Sequence, residues 1–182
     1  EPVSCEHRLS MLTLALEGLP RFSIDKMEIN KTEVSYTIET LKELQLNHPE
    51  WNMFLILGAD AFQDIDTWKQ CSQLLDFFNI LVGTRPGAEL QVSDSVKKKL
   101  TLSTSATNDR ATSSATDVKV FKNLEKGTGV TFFQISPLDI SSKEIRQRTR
   151  REEEVKNLLP PSVDHYIMRH RLYRDDSPPT VA

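Results

Sequence analysis

The sequence predicts an α/β fold, a parallel sheet wound with helices on both faces. Two observations carry this. The runs "FLILG" (54–58) and "NILVG" (79–83) are short, nearly all apolar and bounded by turn residues, the mark of strands covered on both faces, and "GVTFFQI" (129–135) reads as a further strand. Between and around them lie stretches with apolar residues at helical spacing, and strands alternating with helices imply parallel pairing.

In chain order, Leu9, Leu12 and Leu16 recur at helical spacing behind Ser4, so a helix capped by Ser4 runs to about Gly18. "RFSIDKMEI" (21–29) alternates Phe22 and Ile24 with Ser23 and Asp25, the period of a half-buried strand. "SYTIETLKELQLNHP" returns to helical spacing through Ile38, Leu41 and Leu44, with Ser35 or Thr37 as cap and Pro49 as stop. "TWKQCSQLLDFF" predicts a helix between the strands at 54–58 and 79–83. From Leu100 to Val118 large apolar residues almost vanish, and burial there cannot offset the ordering entropy, so about 101–118 reads as a mobile loop. After the strand at 129–135, "ISSKEIRQRTRREEEVKNLLP" predicts a charged helix and a second short one. "SVDHYIMRHRLY" then predicts a last amphipathic helix. Residues 1–174 read as one domain, and 175–182 as a disordered tail with nothing to bury.

The 182 residues are 38% apolar and 27% charged, as expected of a globular domain, with net charge −3. That charge gives no field to draw nucleic acid or an anionic membrane over distance, so an anionic ligand needs a local site. No run approaches the ~20 apolar residues of a membrane span and no signal-peptide pattern opens the chain, so the expected location is cytoplasmic. Cys5 and Cys71 match no metal or redox spacing and read as reduced thiols.

In open parallel sheets ligands sit beyond the carboxyl ends of the strands. Gly58 and Asp60 fall at such an end. Glycine admits close backbone approach, and Asp60 either accepts hydrogen bonds from a ligand or caps the short helix that follows. "DISSKEIRQR" sets Ser141 and Ser142 before a helix start, with Arg146 one turn on. Free N–H groups, hydroxyls and a guanidinium make an anion site, while Ser141 with Glu144 also spells an ordinary capping box. Tyr36 and Thr37 bring hydroxyls to another helix start, Trp68 offers an aromatic face either to a planar ligand or to the core, and Arg85 ends a strand, where it binds phosphate or tops the sheet.

The order "SYTIETL", "FLILGADAF", Trp68, "LVGTRPG", "ISSKEIR", "LLPPSVDHYIMRHRLY" closely resembles the nicotinate-nucleotide adenylyltransferase family of NAD biosynthesis, from Arg8 to about Arg174. The resemblance implies a Rossmann-like sheet of nucleotidylyltransferase type with a helical C-terminus, and adenylyl transfer from ATP to nicotinate mononucleotide. It implies that Gly58 and Asp60 lie by the adenosine, that Ser141, Ser142 and Arg146 hold the ATP phosphates, and that Mg²⁺ arrives with ATP. It places Tyr36, Thr37 and Trp68 around the pyridine ring and Arg85 near the mononucleotide phosphate. Lys143 stands where the family often has threonine. The family's first strand and its H-x-G-H histidines read as missing from these 182 residues, since His7, His48, His165 and His170 fall in no such context. A nucleotide-binding module or an inactive fragment of the same family is therefore the alternative reading, and no catalytic residue is assigned.

Overall fold

The computed structural model describes residues 3–85, 92–103, 118–136 and 140–174. It divides into two compact units, one of Glu1–Thr32 with Leu138–Ala182, the other Glu33–Pro137.

The second unit carries the sheet. Strands β1 (Phe54–Gly58), β2 (Asn79–Thr84) and β5 (Gly129–Gln134) pair in parallel, and β4 (Lys119–Lys122) and β3 (Thr101–Ser103) extend the sheet antiparallel, giving the order β1-β2-β5-β4-β3. The parallel half is as the sequence predicts. The antiparallel half is not, because a tight turn at Gly127 (φ 75°) lets β5 follow β4 directly, and a hairpin can only be antiparallel. Thr101–Ser103, read as the start of a mobile loop, instead pairs with β4, and 104–117 lie outside the described residues.

One sheet face packs under α2 (Thr37–Asn47), α3 (Ala59–Gln63), α4 (Cys71–Phe77) and α5 (Asp94–Lys99). Ile80, Val82, Val130 and Phe132 from the strands meet Ile38, Phe62, Leu74 and Leu75 from the helices, and Phe62 sets its ring edge-on to Phe132 at 5.2 Å. The reading of β1 as covered on both faces does not hold. β1 pairs only with β2 among the described residues, and Phe54 and Ile56 are 49% and 68% exposed.

In the other unit α1 (Cys5–Ala15) begins as expected, Ser4 Oγ accepting from the His7 N–H at 3.3 Å. It lies on α7 (Pro161–Arg169), where Val163, Ile167 and Leu172 form a small core with Met11 and Leu14. His7 Nδ1 is 2.9 Å from Tyr166 Oη. Two expectations fail here. Residues 21–29 form no strand: Phe22 is 64% exposed, and Asp25 folds its carboxylate onto the Met27 N–H at 2.7 Å, a local turn that competes with pairing. The second short helix after α6 (Ser142–Arg150) is also absent, because Glu152 and Asn157 take left-handed φ of 58° and 72°, and only a Lys156–Leu159 bridge forms. Among the described residues no helix is long and apolar enough to cross a membrane.

Candidate active site

The best-formed cluster of predicted site residues lies between the start of α2 and the segment entering α4. Strand β1 delivers the chain through α3 into a 3-10 turn at Ile65–Thr67, anchored by Ile65, which is fully buried. Thr67 Oγ1 donates to the Asp64 carbonyl at 2.7 Å, the Trp68 N–H donates to Ile65 O, and Trp68 O accepts from the Cys71 N–H. Trp68 is therefore held in extended backbone before the chain turns at Gln70 (φ 53°) into α4. Opposite it, Tyr36 caps α2 by its carbonyl, which accepts from the Glu39 and Thr40 N–H groups. The expected side-chain cap from Ser35 or Thr37 is not made, since Tyr36 itself is the capping position and makes no side-chain cap bond. Buried Ile38 pins this helix start to the core, and Lys42 Nζ reaches Gln73 Oε1 at 2.6 Å, tying α2 to α4.

Tyr36, Thr37 and Trp68 consequently line one hollow of about 240 Å³ with Ser35, Ile38, Thr67, Lys69 and Leu74. Trp68 is half-buried and packs against the main core as well as lining the hollow. Whole small-molecule sites usually measure roughly 300–1,000 Å³, so this hollow is smaller than a whole site of that kind.

Sequence reasoning missed Lys69 and Glu39. Lys69 Nζ lies 3.9 Å from the Tyr36 ring centroid and 2.6 Å from Glu39 Oε1. Its hydrogen bond to Glu39 holds the ammonium pKa above the usual lysine value. The signal available was adjacency to Trp68; the contacts across to α2 are tertiary.

Gly58 and Asp60 lie at the carboxyl end of β1, and Arg85 directly follows β2. All three are exposed, and Gly58 pairs in register with Gly83 at the same sheet end. Among the described residues, none apart from its chain neighbours comes within 4 Å of where a Cβ on Gly58 would sit. Asp60 is not a cap: the N-cap of α3 is Gly58, and Asp60 sits inside the first turn.

Ser141, Ser142 and Arg146 belong to the other unit. Ser141 Oγ accepts from the Glu144 N–H at 3.1 Å, one half of a capping box. The other half is not made, because the Glu144 carboxylate turns along the helix to Arg148 Nη2 at 2.5 Å. Ser142, Lys143 and Arg146 are exposed on the first turns of α6, where N–H groups and the helix dipole favour an anion.

A cytidylyltransferase-like family model matches residues 1–148. A probable nicotinate-nucleotide adenylyltransferase of Geotalea daltonii is 38% identical over 175 residues, covering 95% of this chain and 76% of that protein. One of Pseudoalteromonas atlantica is 34% identical, with 95% and 74% covered. Among solved structures, Plasmodium falciparum nicotinic acid mononucleotide adenylyltransferase complexed with NaAD superposes with a TM-score of 0.62 at 19% identity, covering 95% of this chain and 76% of that one, a likeness of fold. With the sequence relatives matched over about three quarters of their length and a mixed sheet whose parallel half is β1, β2 and β5, the chain belongs to the cytidylyltransferase-like family and, within it, to the nicotinate-nucleotide adenylyltransferases.

Proposed function

We infer that this protein transfers the adenylyl group of ATP to nicotinate mononucleotide, giving the deamido form of NAD and pyrophosphate. The observation that supports this most is the hollow in which Tyr36, Thr37 and Trp68, from two separate stretches of sequence, meet. The relatives named nicotinate-nucleotide adenylyltransferases support the reaction class.

In the proposed mechanism the mononucleotide phosphate attacks the α-phosphorus of ATP in line with departing pyrophosphate, so no protein nucleophile is needed. The protein contributes alignment of two anions and neutralisation of the charge that builds between them. Trp68 stacks on the pyridine ring, with Tyr36 and Thr37 lining its edge. Arg85, at the end of β2, attracts the mononucleotide phosphate. Gly58 leaves room for the adenosine, and Asp60 accepts from its hydroxyl or amino groups. Ser141, Ser142 and the α6 N-terminus take the ATP phosphates, with Arg146 as a charge-assisted clamp. Mg²⁺ enters as part of the ATP substrate and shields its phosphates. The proposed setting is cytoplasmic, with small nucleotides rather than nucleic acid or membrane as partners. Steady-state pyrophosphate release tests this: it should require ATP and nicotinate mononucleotide together, and release that ignores the mononucleotide would overturn it.

A further inference from the structure

We propose that Lys69 determines specificity for the acid over the amide, its ammonium pairing with the carboxylate on the pyridine ring. The proposal rests on the reading of the Trp68 hollow as the pyridine pocket. Among the described residues lining that hollow, Lys69 is the only one that carries a charge. Its counter-ion, Glu39, is not part of the lining.

The ammonium is held rather than loose. Glu39 Oε1 binds it at 2.6 Å from the first turn of α2, and the Tyr36 ring face lies 3.9 Å from it. An ammonium carries three N–H donors, and the contacts with Glu39 and the Tyr36 ring leave donor capacity for a second acceptor. Glu33 and Glu39 are the acidic groups whose charge Lys69 feels, and Tyr36 the phenol; all keep it protonated. A ring carboxylate approaching Lys69 gains a charge-assisted bond, whereas a neutral carboxamide gains only an ion–dipole contact. Removing the ammonium while Glu39 remains reverses the sign, since a second carboxylate is then brought towards the first.

The test is calorimetric titration of nicotinate mononucleotide and nicotinamide mononucleotide into the native protein, Lys69→Met, Lys69→Arg, Glu39→Gln and Trp68→Ala, with circular dichroism melts confirming that each variant is folded. Lys69→Met should weaken the acid about tenfold, the scale of one charge-assisted bond at a partly exposed site, and move the amide less than about twofold. Lys69→Arg should keep most of the preference, and Glu39→Gln should keep or strengthen it. An unchanged acid-to-amide ratio in Lys69→Met, with Trp68→Ala weakening both ligands, would overturn the role of Lys69 and leave the pocket standing. Unchanged affinity for both ligands in Trp68→Ala would overturn the pocket and the proposal together.

Discussion

Lys99 Nζ binds both carboxylate oxygens of Asp76, at 2.9 and 2.8 Å, and so ties the end of α5 to α4 beneath the turn joining β4 to β5. Asn123 Nδ2 adds a third bond to Asp76 at 3.1 Å, while Asn123 Oδ1 accepts from the Glu125 and Lys126 N–H groups. The Asp76 side chain is 19% exposed, so this network is shielded enough to matter for stability.

The Lys99 hydrogen bond holds the Asp76 carboxyl below the usual carboxylate range. A depressed folded-state pKa means that the stabilisation is fully present above the unfolded value and fades as pH falls through the folded one. Asp76→Ala should cost about 1–2 kcal/mol at pH 7. In urea melts repeated towards pH 2–3, about the low end of carboxylate titration, the gap between native protein and variant should shrink. A gap independent of pH would assign the loss to packing.

Two glycines should behave oppositely. A Cβ on Gly129 would lie 2.8 Å from the Phe121 carbonyl oxygen, a backbone atom that cannot swing away. Gly129→Ala should therefore destabilise by about 1–3 kcal/mol. Gly58→Ala meets none of the described residues beyond its chain neighbours within 4 Å, and Gly58 already has an ordinary φ of −76°. Its melting point should stay, while ATP affinity should fall if adenosine packs against that backbone.

Trp68→Ala should weaken mononucleotide binding about fivefold, the worth of stacking at about 1 kcal/mol, with ATP affinity nearly unchanged. Trp68→Phe should recover part of the loss. Because Trp68 also packs on the core, the alanine variant should melt somewhat earlier, and early melting with both affinities preserved would make it a core residue only.

Arg146→Ala should weaken ATP by roughly tenfold to a hundredfold, the scale of a lost charge-assisted bond, and leave the mononucleotide alone. Ser141→Ala should weaken ATP as well and, unlike Arg146→Ala, also cost about 1 kcal/mol of stability through the lost cap to Glu144. Unchanged ATP affinity in a folded Arg146→Ala would leave the helix start a structural cap.

Where apolar spacing was strong, as in α1, α2, α7 and the strands β1, β2 and β5, the sequence was sufficient. It failed where a local pattern met a different tertiary outcome. Phe22 and Ile24 alternate like a strand, but Asp25 closes a turn on Met27 first. β4 has only Val120 and Phe121 between lysines, too few apolar positions to stand out, and its identity depends on register with β5. Tyr36, Thr37 and Trp68 stood out in the sequence as residue types at telling positions, and the structure brings them to one hollow. Lys69 did not stand out, because its meaning lies in Glu39 and the ring of Tyr36, which only the packing of α2 brings to it.

The central claim, adenylyl transfer to nicotinate mononucleotide, is tested most directly by following the label from ATP marked at the α-phosphate in the presence of the mononucleotide and the native protein. The label should appear in a dinucleotide, mole for mole with unlabelled pyrophosphate, and the yield should fall with Trp68→Ala and Arg146→Ala. Label found only in free AMP or left in ATP while both nucleotides bind would contradict the account.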